Sequence, residues 1–218
     1  MKLYQSYFSP NSRRVRMFLA EKGLEVPCVD VDIRSGQSHT PEYLKINPMG
    51  AVPALELDDD TAIAESVAIC RYFEALQPEP RLFGSTPKEI AVIEMWQRRI
   101  ELKWFVPLTQ YWLHSAPMWA YNVKQLPELA EQNRDEISRF LTWLDGDMAD
   151  REYIAGDRYS MADIIALTRW IMQTQLMSGT QSARNCTIWR AGIRGCPAGQ
   201  APGREHVDVG AGSANTRR

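Results

Sequence analysis

The sequence predicts an α/β domain over residues 1–80, followed by an all-α domain over residues 86–178. Three observations lead to this fold class. The first eighty residues switch between short stretches with strand-like alternation and segments with helical periodicity. From Ser85 onward the apolar residues recur with helical spacing alone. The chain has 218 residues, of which 44% are hydrophobic and 24% charged, so it is long enough to bury a sizeable core.

Composition excludes several classes of protein. The net charge of -2 provides no basic field for nucleic acid or acidic membranes. No apolar run approaches the roughly 18 residues of a membrane-spanning helix, and no apolar segment of a signal peptide follows the start. The four cysteines are too few for a disulfide scaffold, and neither they nor the three histidines show metal-ligand spacing. We therefore expect a reduced, cytoplasmic protein without a metal ion and without membrane or nucleic-acid partners.

The first structural unit is a strand, a helix and a second strand. Residues 2–6 form a strand candidate, and residues 9–12 then supply turn and N-cap chemistry. The helix has apolar residues at i, i+3 and i+4, and Gly23 is suited to end it. Residues 29–33 alternate apolar and acidic side chains, as in a half-buried strand. The two strands should be parallel, with a right-handed crossover.

A hairpin and a helix complete the first domain. Residues 52–57 and 61–64 form the two strands, and a helix opens at Glu65 with Ser66 as its N-cap. This helix should turn four apolar residues toward a core: Val67, Cys70, Phe73 and Leu76. Pro53 cannot donate a hydrogen bond to a strand ladder, so it is either an edge or first-residue proline or part of a cis Val52–Pro53 bond. A cis bond would leave the Val52 backbone N–H and C=O free to pair with a peptide-like ligand.

The second domain has two strong helix-start signals. Thr86 and Glu89 form a capping box with a proline at the first helical position, and Pro107 should kink or end the long helix that follows. Residues 128–144 predict a further helix. Ser160 and Asp163 predict the N-cap of the last one, where we expect a structural role.

Four motifs resemble those of the cytosolic glutathione S-transferases over about residues 1–167. The order βαβ then ββα is also the thioredoxin-like arrangement, which this family combines with an all-α second domain. The motifs are Ser9-Pro10-Asn11-Ser12-Arg13-Arg14-Val15-Arg16, Asn47-Pro48-x-Gly50-x-Val52-Pro53-x-Leu55, Glu65-Ser66, and Gly156-Asp157-x-x-Ser160-x-Ala162-Asp163.

The resemblance implies a transferase that activates the thiol of glutathione. Ser9 stands where the serine-type classes, such as theta, tau and zeta, keep the hydroxyl that stabilises the thiolate. Asn11 and Ser12 are alternative donors, and Ser12 is also a candidate helix cap. A donor at about 3 Å, aided by the positive end of a helix, would lower the thiol pKa.

Other residues are candidates for binding the remaining parts of glutathione. A helix N-terminus attracts anions, so Ser66 is expected to meet the γ-glutamyl carboxylate and Glu65 the amine. The Val52 backbone N–H and C=O would pair with the peptide backbone, freed to do so by a cis bond to Pro53. Gln37 and His39 are candidates for the glycyl carboxylate, in the loop before the Asn47-Pro48 motif.

The second substrate should be a small hydrophobic electrophile. Its pocket candidates are Phe8, Trp104 and Tyr111, although most aromatic residues of the second domain are expected in the bundle core or at a dimer interface. The resemblance implies a homodimer. The alternatives are a non-catalytic binding or regulatory protein with this fold, or a related glutathione-dependent isomerase, dehalogenase or peroxidase.

The C-terminal end differs from the rest of the chain. Residues 179–218 hold seven of the 13 glycines and six arginines against two acids, and we expect this Gly/Arg/Ala-rich tail to be poorly ordered. A frameshifted end of the coding sequence would produce such a composition, a hypothesis that sequencing the gene tests.

Overall fold

The computed structural model describes residues 1–177. Its strands are β1 Lys2–Gln5, β2 Cys28–Asp30, β3 Ala54–Glu56 and β4 Ala62–Ala64. Its helices are α1 Pro10–Lys22, α2 Pro41–Ile46, α3 Ser66–Leu76, α4 Pro87–Ile100, α5 Val106–Ser115, α6 Pro127–Asp147 and α7 Met161–Leu176. The tail over residues 179–218, with the expected disorder and the frameshift hypothesis, lies outside the described residues.

The four strands form one mixed sheet in the order β2-β1-β3-β4. β1 pairs with β2 in parallel and with β3 antiparallel, and β3 pairs antiparallel with β4. This is the predicted βαβ unit joined to a hairpin, so the predicted fold class is confirmed. The second strand is shorter and more exposed than predicted: it ends at Asp30, and only Val31 of the following residues 31–33 is buried.

Helix α1 is placed by the capping signals in the sequence. Ser9 occupies its N-cap position, and Gly23 ends it in a left-handed conformation with φ 63°. The apolar residues Val15, Phe18 and Leu19 are buried as predicted, and they join the core beneath the sheet. This packing directs the first turn of α1 toward the second domain, because α1 lies against α7 as well as α3.

Two local features differ from the sequence prediction. The predicted loop after β2 contains a 3₁₀ turn, Gln37–His39, and the short helix α2, which Thr40 caps by accepting a hydrogen bond from Tyr43 N. In α3 the buried residues are Ile69, Cys70 and Phe73, whereas Leu76 is 58% exposed rather than in the core.

The long helix of the second domain is interrupted by a π turn. Both hydrogen bonds of the Thr86–Glu89 capping box are present, which confirms the predicted start of α4. A π turn, Glu101–Phe105, separates α4 from α5, whose first turn contains Pro107. Proline lacks the N–H that would continue the ladder, so the predicted interruption occurs one turn before it.

Asp163 fixes the start of α7 from inside the core. Its Oδ1 accepts from Ile154 N at 2.9 Å, and its Oδ2 accepts from the backbone N and the hydroxyl of Ser160, both at 2.9 Å. Burial raises the pKa of this carboxyl to about 6, although these hydrogen bonds act to lower it.

This raised pKa predicts a pH-dependent stability. An unfolded aspartate has a pKa of about 3.9, so between roughly pH 4 and 6 the folded state alone retains the proton. The contribution of the protonated Asp163 carboxyl to the free energy of unfolding is fully present below about pH 4 and is lost as the pH rises through about 6. Chemical denaturation of the wild type and of Asp163→Asn should show the wild-type advantage shrinking over this range and then staying level. A constant difference would contradict the assignment.

Candidate active site

The first turn of α1 presents three polar side chains. The Ser9 hydroxyl accepts a hydrogen bond from Ser12 N at 3.3 Å, so its own proton remains free to be donated. The Ser12 hydroxyl accepts from Ser6 N at 3.2 Å, and Ser12 has no exposed surface. Ser9 therefore caps the helix and Ser12 does not, contrary to the capping role considered for Ser12.

Asn11 is oriented by a charged partner from the second domain. Arg169 Nη2 donates to Asn11 Oδ1 at 2.8 Å. A guanidinium can only donate, so the Asn11 oxygen must face Arg169, which leaves the amide N–H₂ group as a free donor. Asn11 is half-buried, so part of its side chain remains accessible.

The N-terminus of α3 forms the second polar group of the site. Glu65 occupies the N-cap position and Ser66 is the first helical residue, so the prediction of Ser66 as N-cap is wrong by one position. The reason is visible in the contacts: the Ser66 hydroxyl accepts from Arg14 Nη1 at 2.9 Å and caps no backbone N–H. Glu65 is exposed and has a φ of 67°, an unusual conformation that residues at binding sites often adopt.

Two buried arginines link these helix starts. Arg14 is 3% exposed and Arg169 has no exposed surface, and burial lowers the pKa of both guanidinium groups. Arg14 Nη1 also contacts Glu101 Oε1 at 3.1 Å, and Arg169 lies 3.6 Å from the centre of the Phe105 ring. The cluster therefore joins α1, α3 and α7 to the π turn.

This arginine cluster was not predicted from the sequence, although a signal for it was present. Arg14 precedes Phe18 by four residues, which places it on the apolar face of α1, where a charge requires a partner. Arg169 and Asp163 are the two charged residues of α7, a helix that is otherwise apolar or neutral. Charged residues on buried faces of this kind indicate internal polar sites.

The Val52–Pro53 bond is cis, as the second of the two interpretations of Pro53 predicted. Within residues 1–177, the Val52 backbone N–H and C=O have no hydrogen-bond partner. His39 is exposed, and its ring lies against Gly50, where an added Cβ would come within 2.5 Å of the imidazole. The Gln37 side chain is held by Asp32 N, which donates to its Oε1 at 2.7 Å.

Family models match this chain over both domains. The model described as "Glutathione S-transferase, N-terminal domain" covers residues 3–81, and "Glutathione S-transferase, C-terminal domain" covers residues 104–194. The chain belongs to the glutathione S-transferase family. The second match extends past residue 167, where the resemblance drawn from motifs ended, so the family pattern continues further than the sequence analysis placed it.

Individual family members agree with this assignment. Glutathione S-transferase 2 of Saccharomyces cerevisiae is 39% identical over 171 residues, which are 77% of this chain and 73% of the relative. Maleylacetoacetate isomerase of Pseudomonas aeruginosa is 35% identical over 170 residues, or 75% of this chain and 77% of the relative.

Solved structures of family members show the same fold. A glutathione S-transferase domain-containing protein of Marinobacter aquaeolei has a TM-score of 0.78 and 32% identity, covering 89% of this chain and 96% of its own. Gtt2 of Saccharomyces cerevisiae also has a TM-score of 0.78, with 35% identity over 89% of this chain and 94% of its own.

The pocket candidates of this glutathione S-transferase family member lie in different environments. Phe8 is 67% exposed beside Ser9, with the Arg34 guanidinium 5.0 Å from the centre of its ring. Tyr111 is half-buried on α5. Trp104 has no exposed surface, and its Nε1 donates to Gln173 Oε1 at 2.6 Å. Trp104 is therefore a core residue, the role expected for most of these aromatic rings, and has no surface with which to line a pocket.

The described part of the chain has neither a membrane-spanning helix nor a cluster of metal-ligating side chains. No helix there is long and apolar enough to cross a membrane. Residues 1–177 contain no group of three or more potential metal-ligating side chains.

Proposed function

We propose that this protein is a glutathione S-transferase in which Ser9 and Asn11 donate hydrogen bonds to the thiolate of glutathione. The observation that carries the proposal is the pair of free donors at the start of α1. The Ser9 hydroxyl and the Asn11 amide both have their acceptor atoms occupied by protein donors, which leaves their hydrogens for a ligand. Ser12 is excluded because its side chain is fully buried.

The neighbouring groups would bind the rest of the tripeptide. Ser66 and the first amides of α3 would receive the γ-glutamyl carboxylate, and exposed Glu65 the amine. The unpartnered Val52 backbone groups before Pro53 would pair with the cysteinyl backbone. His39 remains the candidate for the glycyl carboxylate, while Gln37 already binds Asp32 N through its side-chain oxygen.

The reaction would be attack of the thiolate on an electrophilic carbon of a small apolar substrate. A free thiol with a pKa near 8.5 is only a few per cent ionised at neutral pH, so stabilising the anion increases the reactive fraction. The protein binds both reactants close together and needs no general base of its own. Phe8 and Tyr111 are the pocket candidates that retain exposed surface.

An ultraviolet difference titration with glutathione tests this function. Bound glutathione should show thiolate absorbance that titrates well below the free value of about 8.5. Binding without thiolate would instead support the alternative of a non-catalytic binding or regulatory protein. Absence of binding by the full chain would overturn the proposal.

Isomerisation is the second candidate function, because one relative of 35% identity is named maleylacetoacetate isomerase. The same glutathione thiolate would add to the substrate and leave again after rotation about the bond. Turnover of maleylacetoacetate and of an activated aryl chloride such as chlorodinitrobenzene should be compared directly. The larger kcat/KM identifies the main activity, and no turnover of either would leave the binding role.

We also propose a homodimeric, cytoplasmic protein, as is typical of this family. Leu102 and Val106, at the junction of α4 and α5, are 58% and 46% exposed and provide apolar surface for such contacts. Sedimentation equilibrium of the full chain would show twice the mass of 24.9 kDa if the dimer forms.

A further inference from the structure

We propose that Arg14 is a positioning residue that turns the Ser66 hydroxyl proton toward the γ-glutamyl carboxylate of glutathione. This inference rests on the proposed function, in which that carboxylate binds at the start of α3. It assigns a role to a side chain that lies inside the protein and does not itself reach the ligand.

The contact between Arg14 and Ser66 fixes which group donates and which accepts. Arg14 Nη1 donates to Ser66 Oγ at 2.9 Å, and a guanidinium has no acceptor atom. Ser66 must therefore accept in this bond, and its single proton cannot point at Arg14. Within the described part of the chain, Ser66 Oγ makes no other hydrogen bond, so the proton is available to a ligand carboxylate.

A second partner holds Arg14 in one place. Its Nη1 also contacts Glu101 Oε1 at 3.1 Å, while the other oxygen of Glu101 binds Arg98. Arg14 is 3% exposed, so the contact is not weakened by solvent as a surface pair would be. Glu101 belongs to the π turn of the second domain, and the Ser66 hydroxyl is thus oriented by both domains together.

Positive charge is in excess beside the start of α3. The cluster contains two buried guanidinium groups, Arg14 and Arg169, and one carboxylate, Glu101, which is shared with the more exposed Arg98. Four guanidinium nitrogens are buried without a hydrogen-bond partner among residues 1–177: Nε and Nη2 of Arg14, and Nε and Nη1 of Arg169. This positive charge polarises the Ser66 hydroxyl as a donor to an anion, and a carboxylate bound at Ser66 would offset the charge.

A purely structural role for Arg14 predicts something different. The Arg14–Glu101 pair connects the two domains, and its loss would then weaken every ligand equally through a less stable site. A positioning role predicts an effect confined to ligands that carry the γ-glutamyl carboxylate. The experiment therefore compares glutathione with its analogue in which 4-aminobutyryl replaces γ-glutamyl, which removes that carboxylate and keeps the amine.

Isothermal titration of the full chain with both ligands tests the proposal. Arg14→Met should weaken glutathione binding about tenfold and leave the analogue within about twofold. Adding Arg14→Met to Ser66→Ala should weaken glutathione binding little further, since both changes remove one interaction. Arg14→Lys keeps the charge, but its side chain is shorter and lacks the planar guanidinium whose Nη1 contacts both Ser66 and Glu101, so it should lose several-fold with glutathione alone.

A matched control removes another arginine–glutamate pair between the domains. Arg71 of α3 contacts Glu94 of α4 at 2.7 Å, and neither residue touches Ser66. Arg71→Met should leave the affinities for both ligands unchanged. Arg14→Lys, as the milder change, decides the question if Arg14→Met does not fold.

The outcomes separate this inference from the proposed function. If the wild type does not prefer glutathione over the analogue, the carboxylate does not bind at Ser66 and the proposed site is wrong. If the wild type and Ser66→Ala behave as expected while the Arg14 variants keep the preference, only the role of Arg14 is overturned. Equal loss for both ligands in the Arg14 variants would also overturn it, in favour of a structural role.

Discussion

Replacing Ser9 with alanine is expected to lower kcat about 100-fold with an activated aryl chloride and to change the glutathione Kd less than about threefold. Removing one preorganised donor to an anion costs about 10²–10³ in kcat in well-studied enzymes. The thiol is bound through the rest of the tripeptide, so affinity should largely persist. Steady-state kinetics and the thiolate titration measure the two effects separately, and the thiol pKa should rise toward its free value.

The control for this experiment is another helix cap. Ser9→Ala also removes the cap of α1, which costs about 1 kcal/mol of stability. Thr86→Ala removes the equivalent cap of α4, where Thr86 accepts from Glu89 N at 3.2 Å, and should leave turnover unchanged. If Ser9→Ala retains turnover and Asn11→Ala loses it, Asn11 is the activating donor and the assignment of Ser9 is wrong.

Replacing Asp163 with alanine is expected to cost about 3 kcal/mol of unfolding free energy near pH 5.5. The change leaves three buried donors without their acceptor: the backbone N–H groups of Ile154 and Ser160 and the Ser160 hydroxyl. In a domain of this size the melting temperature should fall by roughly 8 °C. Urea denaturation and thermal melts monitored by circular dichroism measure the loss.

Asp157 is the matched control for Asp163. It lies in the same motif but is exposed, so Asp157→Ala should change the unfolding free energy by less than about 0.5 kcal/mol. The cost of Asp163→Ala should also be smaller at pH 7.5 than at pH 5.5, because the buried carboxyl is then ionised in the wild type. Similar losses for both aspartates would show that the hydrogen bonds of Asp163 contribute little.

Most of the fold was predictable because its signals are local. The N-cap chemistry of residues 9–12, the Gly23 stop, the capping boxes and the apolar spacing of α1 and α6 each involve residues within about four positions of one another. Prediction failed where the outcome depends on distant contacts. Strand β2 ends at Asp30 because β1, its partner, ends at Gln5. The apolar face of α3 is set by what packs against it, and so Leu76 is exposed.

The candidate site was likewise predictable where its signals are local and unpredictable where distant contacts decide. The starts of α1 and α3 lie within one residue of the positions that the motifs predicted, and the same motifs identified the family. The cis Val52–Pro53 bond was one of two interpretations that the sequence left open. The burial of Trp104 did not follow, because an aromatic side chain is equally compatible with a core and with a pocket wall.

The sequence by itself determined the fold class, the family and the residues at the two helix starts, since these depend on hydrogen bonds and periodicity along short segments. Only the tertiary structure decided which atoms of those residues are free to act. Ser12 turns inward to Ser6, while Arg169 fixes the Asn11 amide across 158 positions and Arg14 fixes Ser66 across 52. The physical reason is that a hydrogen bond has a direction: which donor remains for a ligand depends on what else its group already binds, and those partners come from other parts of the chain.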